Sequence, residues 1–269
     1  MKPTTSPCRR RLARRACTLL LLGLPGLERA AAQPARQVER QDQVWAGYFN
    51  QARFSSHWGL WSDLHLRTRD HFVDRFSVSV LRLGLLYYLK EDTKLAAGAA
   101  WLAYYPAPGH TRVTQPEHRY WQLLQWKNRY TRLQLTQGIR LEERFRRRIL
   151  NDSTLGNGYT FNYRLRYNLL LLVPFNGQPV RKGTWSAVLN SEWMMNFGQQ
   201  IVRNYFDQIR LFGGLDYQVG RLNHVQAGYM HIFQQLSGYN QFRVIHAARL
   251  FLFHYLDARR AATGSHAGT

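Results

Sequence analysis

The chain of 269 residues carries 37 lysine and arginine residues against 16 aspartate and glutamate residues, a formal net charge of +21. This length suits one large all-β domain, and no linker indicates a second. Cys8 and Cys17 are the two cysteines. Both precede residue 32, which excludes disulfides and thiol catalysis from the rest of the chain.

The first 32 residues have the layout of a secretory signal peptide. Five arginines between Arg9 and Arg15 precede an apolar run from Ala16 to Leu27, and three alanines end at Ala32. The run is about a dozen residues, shorter than the roughly 20 that a transmembrane helix needs. We therefore expect residues 1–32 to be a Sec-type signal peptide, cleaved after Ala32, and the mature protein to be exported.

The remaining chain is still strongly basic, which indicates an anionic partner or an internal arginine network. An exported protein seldom meets nucleic acid, so nucleic acid is not an expected partner. Outer-membrane lipid and lipopolysaccharide are the expected ones, together with a small anionic solute.

After a linker over residues 33–42, apolar and polar residues alternate with a period of two, as in strands that bury one face. Between Thr131 and Arg148, leucine and isoleucine occupy one set of alternate positions, called here one parity of the strand, while arginine, glutamine and glutamate occupy the other. Eleven candidate strands follow this pattern, near 43–53, 58–69, 76–89, 94–105, 117–127, 131–148, 160–173, 184–197, 205–217, 222–235 and 240–256.

The length of these segments favours a membrane barrel, because strands of soluble domains are usually about 5–6 residues and membrane-spanning strands about 9–11. Aromatic residues near strand ends, among them Trp45, Trp58, Trp185 and Trp193, are expected on the outward face. Short connections alternate with longer ones at 106–116, 147–159 and 198–204, although 174–183 is long where a short turn is expected.

The sequence therefore predicts an all-β, transmembrane, antiparallel up-and-down barrel of 10–12 strands over residues 43–256, with a disordered tail over 257–269. Single-chain bacterial barrels have even strand numbers. Either 43–53 is not a full strand or a twelfth strand is missed. The expected location is the cell outer membrane.

The charged parity must face the lumen, because an arginine on the lipid face near the midplane costs about 2–4 kcal/mol. The candidate lumen charge network consists of Arg140, Glu142, Arg144, Arg164, Arg166, Glu192 and Arg210. It is either a site for passage or binding of a small anionic solute or a structural plug of ion pairs.

An enzyme is not expected, and no catalytic residue, metal site or cofactor is assigned. An outer-membrane hydrolase would need partners for Ser191 and His254, or an Asp152–His110 pair at the loops. Another alternative, a soluble periplasmic barrel for an apolar ligand, would reverse the two parities.

Several spaced motifs over roughly 44–256 resemble the family called domain of unknown function 2490. The motifs are EHRYWQLLQW (117–126), LTQGIRLEERF (135–145), YRLRYNLLLLVPF (163–175), SEW (191–193), YFDQIRLFGGLDY (205–217) and AGYMHIF (227–233). The family pattern matches here at Arg140, Glu142, Arg144, Arg164, Arg166, Pro174, Glu192, Phe206, Asp207, Gln208 and Arg210. Ile209 stands where the family tends to have Asn. The resemblance implies an exported outer-membrane β-barrel and brings no activity with it.

Overall fold

The computed structural model describes residues 36–176 and 180–259, and in these two ranges it contains eleven strands and no helix. The strands are β1 (Gln37–Arg53), β2 (Trp58–Arg69), β3 (Arg75–Lys90), β4 (Thr93–Tyr104), β5 (Gln115–Arg129), β6 (Gln134–Asn151), β7 (Thr154–Pro174), β8 (Trp185–Phe197), β9 (Phe206–Gln218), β10 (His224–Gln235) and β11 (Gln241–Asp257). The described residues include no helix that is long and apolar enough to cross a membrane. The expected signal peptide and most of the expected tail lie outside the described residues.

The strands form one closed barrel in which consecutive strands are antiparallel neighbours. The prediction of an all-β barrel is thus confirmed, and each of the eleven candidate strands is present. β1 begins at Gln37, so residues 37–42, expected to be linker, belong to a strand instead.

The barrel closes by parallel pairing of β1 with β11, which runs from Gln37 opposite Gln241 to Arg53 opposite Asp257. The expectation of an even strand number is therefore wrong, as is that of uniformly antiparallel pairing. An odd number of strands in an up-and-down order leaves the first and last strands running in the same direction. Parallel pairing still satisfies the backbone donors and acceptors of both edges.

The barrel has two ends, named here by their connections. The loop end carries the connections 70–74, 105–114, 152–153, 198–205 and 236–240, and the turn end carries 54–57, 91–92, 130–133, 175–184 and 219–223. Because the strand number is odd, β1 begins at the loop end and β11 finishes at the turn end.

The segment 147–159, expected to be a loop, is the tip of a long hairpin. β6 and β7 continue to pair beyond their other neighbours, and only residues 152–153 form the turn. The Asn151 side chain accepts a hydrogen bond from the Ser153 amide at 3.0 Å, an Asx-type contact that stabilises a tight turn. Asn151 and Asp152 thus serve a two-residue turn, whereas Gly156 and Gly158 of the same segment lie within β7.

Side chains alternate between the exterior and the lumen as the sequence pattern predicts. On β2, Leu60 and Leu64 are half exposed on the outside, whereas Asp63 is 2% exposed and His65 8% exposed on the inside. One aromatic residue departs from the pattern, because Trp45 is buried in the lumen rather than placed on the exterior. The strand begins six residues earlier than expected, so Trp45 lies in the middle of β1 rather than near its end. A buried tryptophan needs an acceptor for its N–H, and here the indole donates to Gln43 Oε1 at 2.7 Å.

Apolar side chains fill much of the lumen wall in two clusters. One lies on β1 and β7–β11 and includes Trp45, Phe212 and Phe251. The other lies on β2–β5 and includes Trp61 and Trp121. The lumen is therefore mixed in character, with charged groups set between apolar walls.

Inward-facing glycines make room for these aromatic rings. Gly84 and Gly98 are opposite each other on β3 and β4, and Trp121 lies against them. A Cβ at Gly84 would fall 2.6 Å from the Trp121 ring, and one at Gly98 would fall 2.0 Å from the Leu83 carbonyl oxygen. The close approach of these strands requires the absence of a side chain.

We expect Gly98→Ala to lower the free energy of unfolding by about 1–3 kcal/mol or more, because backbone must move to admit the methyl group. Gly213→Ala is the matched control, since its new Cβ would meet only Leu189 Cδ2 at 3.7 Å. Urea unfolding of the folded protein in detergent measures both variants. Equal stability of the two variants would contradict this view of the β3–β4 contact.

Candidate functional site

A cavity of about 980 Å³ occupies the lumen and is lined by side chains from all eleven strands. Residues of the loop-end connections 105–114, 198–205 and 236–240 contribute to its wall. Within the described ranges, no residue of a turn-end connection does so. The cavity therefore has its mouth at the loop end.

Side chains close the lumen towards the turn end. Arg53 pairs with Glu91 at 2.7 Å and lies over the ring of Tyr88, with Cζ 4.1 Å from the ring centroid. Lys94 Nζ donates to Gln51 Oε1 at 2.6 Å. These contacts give the lumen the form of a cup.

The cup wall on β5 and β6 holds a carboxylate surrounded by guanidinium groups. Glu117 is fully buried and receives Arg144 Nε at 2.8 Å, Arg146 Nε at 2.5 Å and a further contact from Arg119. The hydroxyl of Tyr104 accepts hydrogen bonds from Arg119 and Arg146. One carboxylate thus holds three cations in place.

A second group continues the network across β6–β9. Glu142, 1% exposed, accepts from Arg164 Nη2 at 2.5 Å and from Arg166 Nη1 at 2.6 Å. Arg166 also contacts Glu192, which accepts from Arg210 Nη1 at 2.9 Å. Arg164 reaches Asp207 at 3.0 Å. Because Arg119 Nη1 lies 3.4 Å from Glu142, the two groups form one network.

Three lumen arginines have no such partner. Arg67, Arg140 and Arg249 make no ion pair with any carboxylate of the described residues, and the Nε atom of each is buried without a hydrogen-bond partner. Each stacks on aromatic rings instead. Arg67 Cζ lies 3.6 Å from the Trp45 ring centroid, Arg140 lies 5.7 Å and 5.1 Å from those of Trp61 and Trp121, and Arg249 lies 3.2 Å from that of Phe212.

The lumen as a whole therefore carries an excess of positive charge. Its buried carboxylates are Asp63, Glu117, Glu142, Asp207 and Asp216, and Glu192 is partly buried. Its cations include Arg67, Arg82, Arg119, Arg140, Arg144, Arg146, Arg164, Arg166, Arg210, Arg249 and Lys94. Arg82 pairs with Asp63 at 2.9 Å, and Asp216 contacts His224.

All seven residues of the sequence-predicted network face the lumen, and six of them line the cavity, with Glu142 packed beneath them. Six take part in ion pairs, whereas Arg140 stands apart. Arg144 pairs with Glu117 rather than with the nearby Glu142.

Sequence reasoning missed the ion-pairing roles of Glu117, Arg119, Arg146 and Asp207. Glu117 and Arg119 share the inward parity of β5 with Trp121 and Leu123. Because charged and apolar residues are mixed on this face, the alternation in β5 is weak. The charged residues at alternate positions, Glu117 and Arg119, were nevertheless a signal that could have placed them in the network.

The residues considered for a hydrolase do not come together. Ser191 Oγ accepts from Trp193 Nε1 at 2.6 Å, and His254 bonds to Tyr48 at 2.7 Å on the exterior. His110 Nδ1 contacts the Val113 carbonyl. The described part of the chain holds no group of three or more His, Cys, Asp or Glu residues arranged for a metal ion.

Asp152 ties the β6–β7 hairpin to the connection 105–114 at the mouth of the cup. Its carboxylate accepts hydrogen bonds from the Thr111 amide, at 2.9 Å, and from the Thr111 hydroxyl, while its carbonyl accepts from the Arg112 amide at 3.0 Å. The Thr111 hydroxyl, and next its amide, hold the pKa of the Asp152 carboxyl below its ordinary value.

We expect Glu117→Gln to lower the free energy of unfolding by about 3–5 kcal/mol, because the buried guanidinium groups of Arg119 and Arg144 and the partly exposed one of Arg146 lose their counter-charge. Glu39→Gln is the control, since Glu39 pairs with Arg243 at an exposed position and such pairs contribute about 0–1 kcal/mol. Chemical unfolding in detergent compares the two. A Glu117→Gln variant as stable as the control would show that Glu117 is dispensable.

The contact between Asp152 and Thr111 should depend on pH. A lowered pKa means that the contact contributes fully above the ordinary aspartate pKa of about 3.9 and is lost as the pH falls through the lower folded value. Hydrogen exchange at the Thr111 amide, corrected for the intrinsic rate, should show this loss of protection. Asp152→Asn should reduce protection already at neutral pH, and unchanged protection there would contradict the assignment.

A family model matches residues 42–243 of the chain, and its description is "Protein of unknown function (DUF2490)". The match covers β2 to β10 and most of β1, including every residue of the ion-pair network on β5–β9. Searches of the curated proteins and of the solved structures returned no match. The resemblance seen in the sequence motifs is thereby confirmed: the chain belongs to the DUF2490 family of proteins of unknown function.

Proposed function

We propose that this protein is a non-enzymatic barrel of the outer membrane that binds a small anionic solute in its lumen. One observation carries the proposal: Arg67, Arg140 and Arg249 face the cavity without a carboxylate partner among the described residues. A solute with one or more carboxylate or phosphate groups supplies the missing charge.

The electrostatic argument starts from the cost of an unpaired cation away from bulk water, which is several kcal/mol unless charge or hydrogen bonds compensate it. A purely structural plug would favour balanced charges. Here the ion-pair network uses up the lumen carboxylates and leaves guanidinium groups over. Each guanidinium lies over an aromatic ring, that of Trp45, Trp61 or Phe212. The N–H groups of Arg67 and Arg140 are available for bidentate contact with an oxyanion, whereas Arg249 keeps its Nε free while its Nη2 donates to Gln226.

The cup favours binding over passage. The wall includes loop-end connections, while Arg53 and Tyr88 fill the lumen at the turn end, where the exposed Glu91 pairs with Arg53. A solute entering from the loop end meets the ion-pair network first and the apolar side chains of β2–β5 beyond it. Passage through the barrel would require these turn-end contacts to open.

The exterior supports a membrane location. Half-exposed leucines cover the outside of several strands, namely Leu60, Leu64, Leu81, Leu83, Leu85, Leu189 and Leu250. Soluble monomers rarely expose apolar patches beyond a few hundred Å², whereas lipid chains cover such a surface. Arg112 and Arg148 near the loop end would then lie close to the phosphate groups of lipopolysaccharide.

The membrane location has its own test. We expect the protein to fractionate with outer membranes on a sucrose gradient, and the folded barrel to migrate faster on a gel without boiling than after it. Recovery in the soluble periplasmic fraction would remove this part of the proposal.

We expect purified protein in detergent to bind citrate or inorganic phosphate, measured by isothermal titration calorimetry. Replacing Arg67, Arg140 and Arg249 together by glutamine should weaken binding at least about tenfold, a loss of about 1.4 kcal/mol. The variant should stay folded, because no ion pair is broken. Arg129→Gln, at an exposed pair with Asp92, should bind as the unchanged protein does.

Two results would count against the proposal. Absence of citrate and phosphate binding to the unchanged protein would leave a structural barrel. Steady, anion-selective conductance in planar bilayers would show that the lumen is open and would replace binding in a cup with passage.

A further inference from the structure

A niche in the cup wall surrounds Gly138 on β6. Gly138 lies between Gln125 of β5 and Asn168 of β7, because it is the cross-strand partner of both residues. Arg140 follows two positions later on the same face of β6. All four residues line the cavity. Gly138 has no side chain, so bare backbone lies between the two amides, on the turn-end side of the ion-pair network, and the Leu123 side chain packs against it.

The polar groups of the niche have no partners in the described chain. The carbonyl oxygen of the Gln125 side chain is buried and accepts no hydrogen bond. The Arg140 Nε is buried as well and donates none. Native proteins pair most buried polar atoms. An unpartnered acceptor on β5 and an unpartnered guanidinium Nε on the neighbouring strand β6, both in residues that line the cavity, therefore point to a ligand that joins them.

Most other amides of the cavity wall are already engaged. Asn162 bonds to Asn196 at 3.2 Å, Asn190 donates to the Leu169 carbonyl at 3.0 Å, and Gln226 accepts from Arg249 at 2.9 Å. These bonds hold the wall together. The amides beside Gly138 thus differ from the majority in being free for recognition.

We propose that this niche binds an acidic sugar, a pyranose that carries a carboxylate or a phosphate. The inference rests on the proposed function and names the class of the anionic solute. A simple anion satisfies Arg140 alone. A sugar acid places its charged group on the guanidinium edge and its neighbouring hydroxyls on Gln125 and Asn168, whose amides donate and accept as hydroxyls require.

The apolar neighbours fit the same ligand. Leu123 and Leu170 line the cavity beside Gly138, and a Cβ at Gly138 would fall 3.3 Å from Leu123 Cδ1. The C–H groups of a sugar ring form an apolar face that can pack on leucine side chains. The hydroxyls at the ring edge can then bond to the free amides. Binding sites of this kind combine an apolar lining with few polar groups that set orientation.

The experiment compares glucuronate with acetate, glucose and glucose 6-phosphate by calorimetry on the purified full-length protein in detergent. We expect glucuronate to bind at least about tenfold more tightly than acetate or glucose. Comparable binding of glucose 6-phosphate would support the class with phosphate as the charged group. Glucuronate binding no tighter than that of acetate would overturn the inference.

Variants of the niche make the test specific. Gln125→Leu with Asn168→Leu should reduce glucuronate affinity to that of acetate and leave citrate binding unchanged. Gln234→Leu, another cavity amide of β10 away from the niche, is the matched control and should have no effect. An equal loss in the control would overturn the assignment of the niche.

Gly138→Val is a second variant, which places a side chain between the two amides and against Leu123 without removing a polar group. It should abolish the preference for glucuronate while phosphate still binds at Arg67 and Arg249. Retained preference would overturn the inference even though anion binding stands. If citrate and phosphate also fail to bind the unchanged protein, the proposed function fails as well, so the two failures are distinguishable.

Discussion

Backbone hydrogen bonds between β1 and β11 close the sheet, and the character of the interior depends on this closure. In an open sheet, the charged parity of each strand would face bulk water, where arginine and glutamate need no partner. Closure turns that parity inward and brings residues from distant parts of the chain into one lumen. Each cation must then find a carboxylate, an aromatic ring or a ligand.

The distribution of lumen charge follows from the order of the strands. Glu117, Glu142 and Glu192 lie on β5, β6 and β8, and β7 between them supplies Arg164 and Arg166. Cross-strand contacts therefore bring acid and base together along one wall, and the network spans that wall without a break. Aromatic side chains lie beside the remaining arginines, so Arg67 on β2 meets Trp45 and Arg249 on β11 meets Phe212 rather than an acid. The excess of positive charge in the lumen arises because arginines on β2 and β11 lie away from the carboxylates of the network.

Local alternation predicted the strands well, because a long strand with one buried face needs no distant information to show its period. Eleven strands, the inward parity and the seven network residues follow from such local patterns. Pairing between distant strands does not. The parallel contact of β1 with β11 joins residues about 200 positions apart, and no local pattern specifies the direction of a closing pair.

Register explains the remaining differences between prediction and structure. Arg144 has Glu142 two residues away on the same strand, yet cross-strand alignment places it beside Glu117 of β5. Trp45 reads as an interfacial residue by position, yet the register with β2 sets it opposite Arg67 and gives it a cation to stack on. The same registers bring Gln125, Gly138 and Asn168 into one row. The candidate binding niche is thus a property of three aligned strands, and it cannot be seen in any one of them.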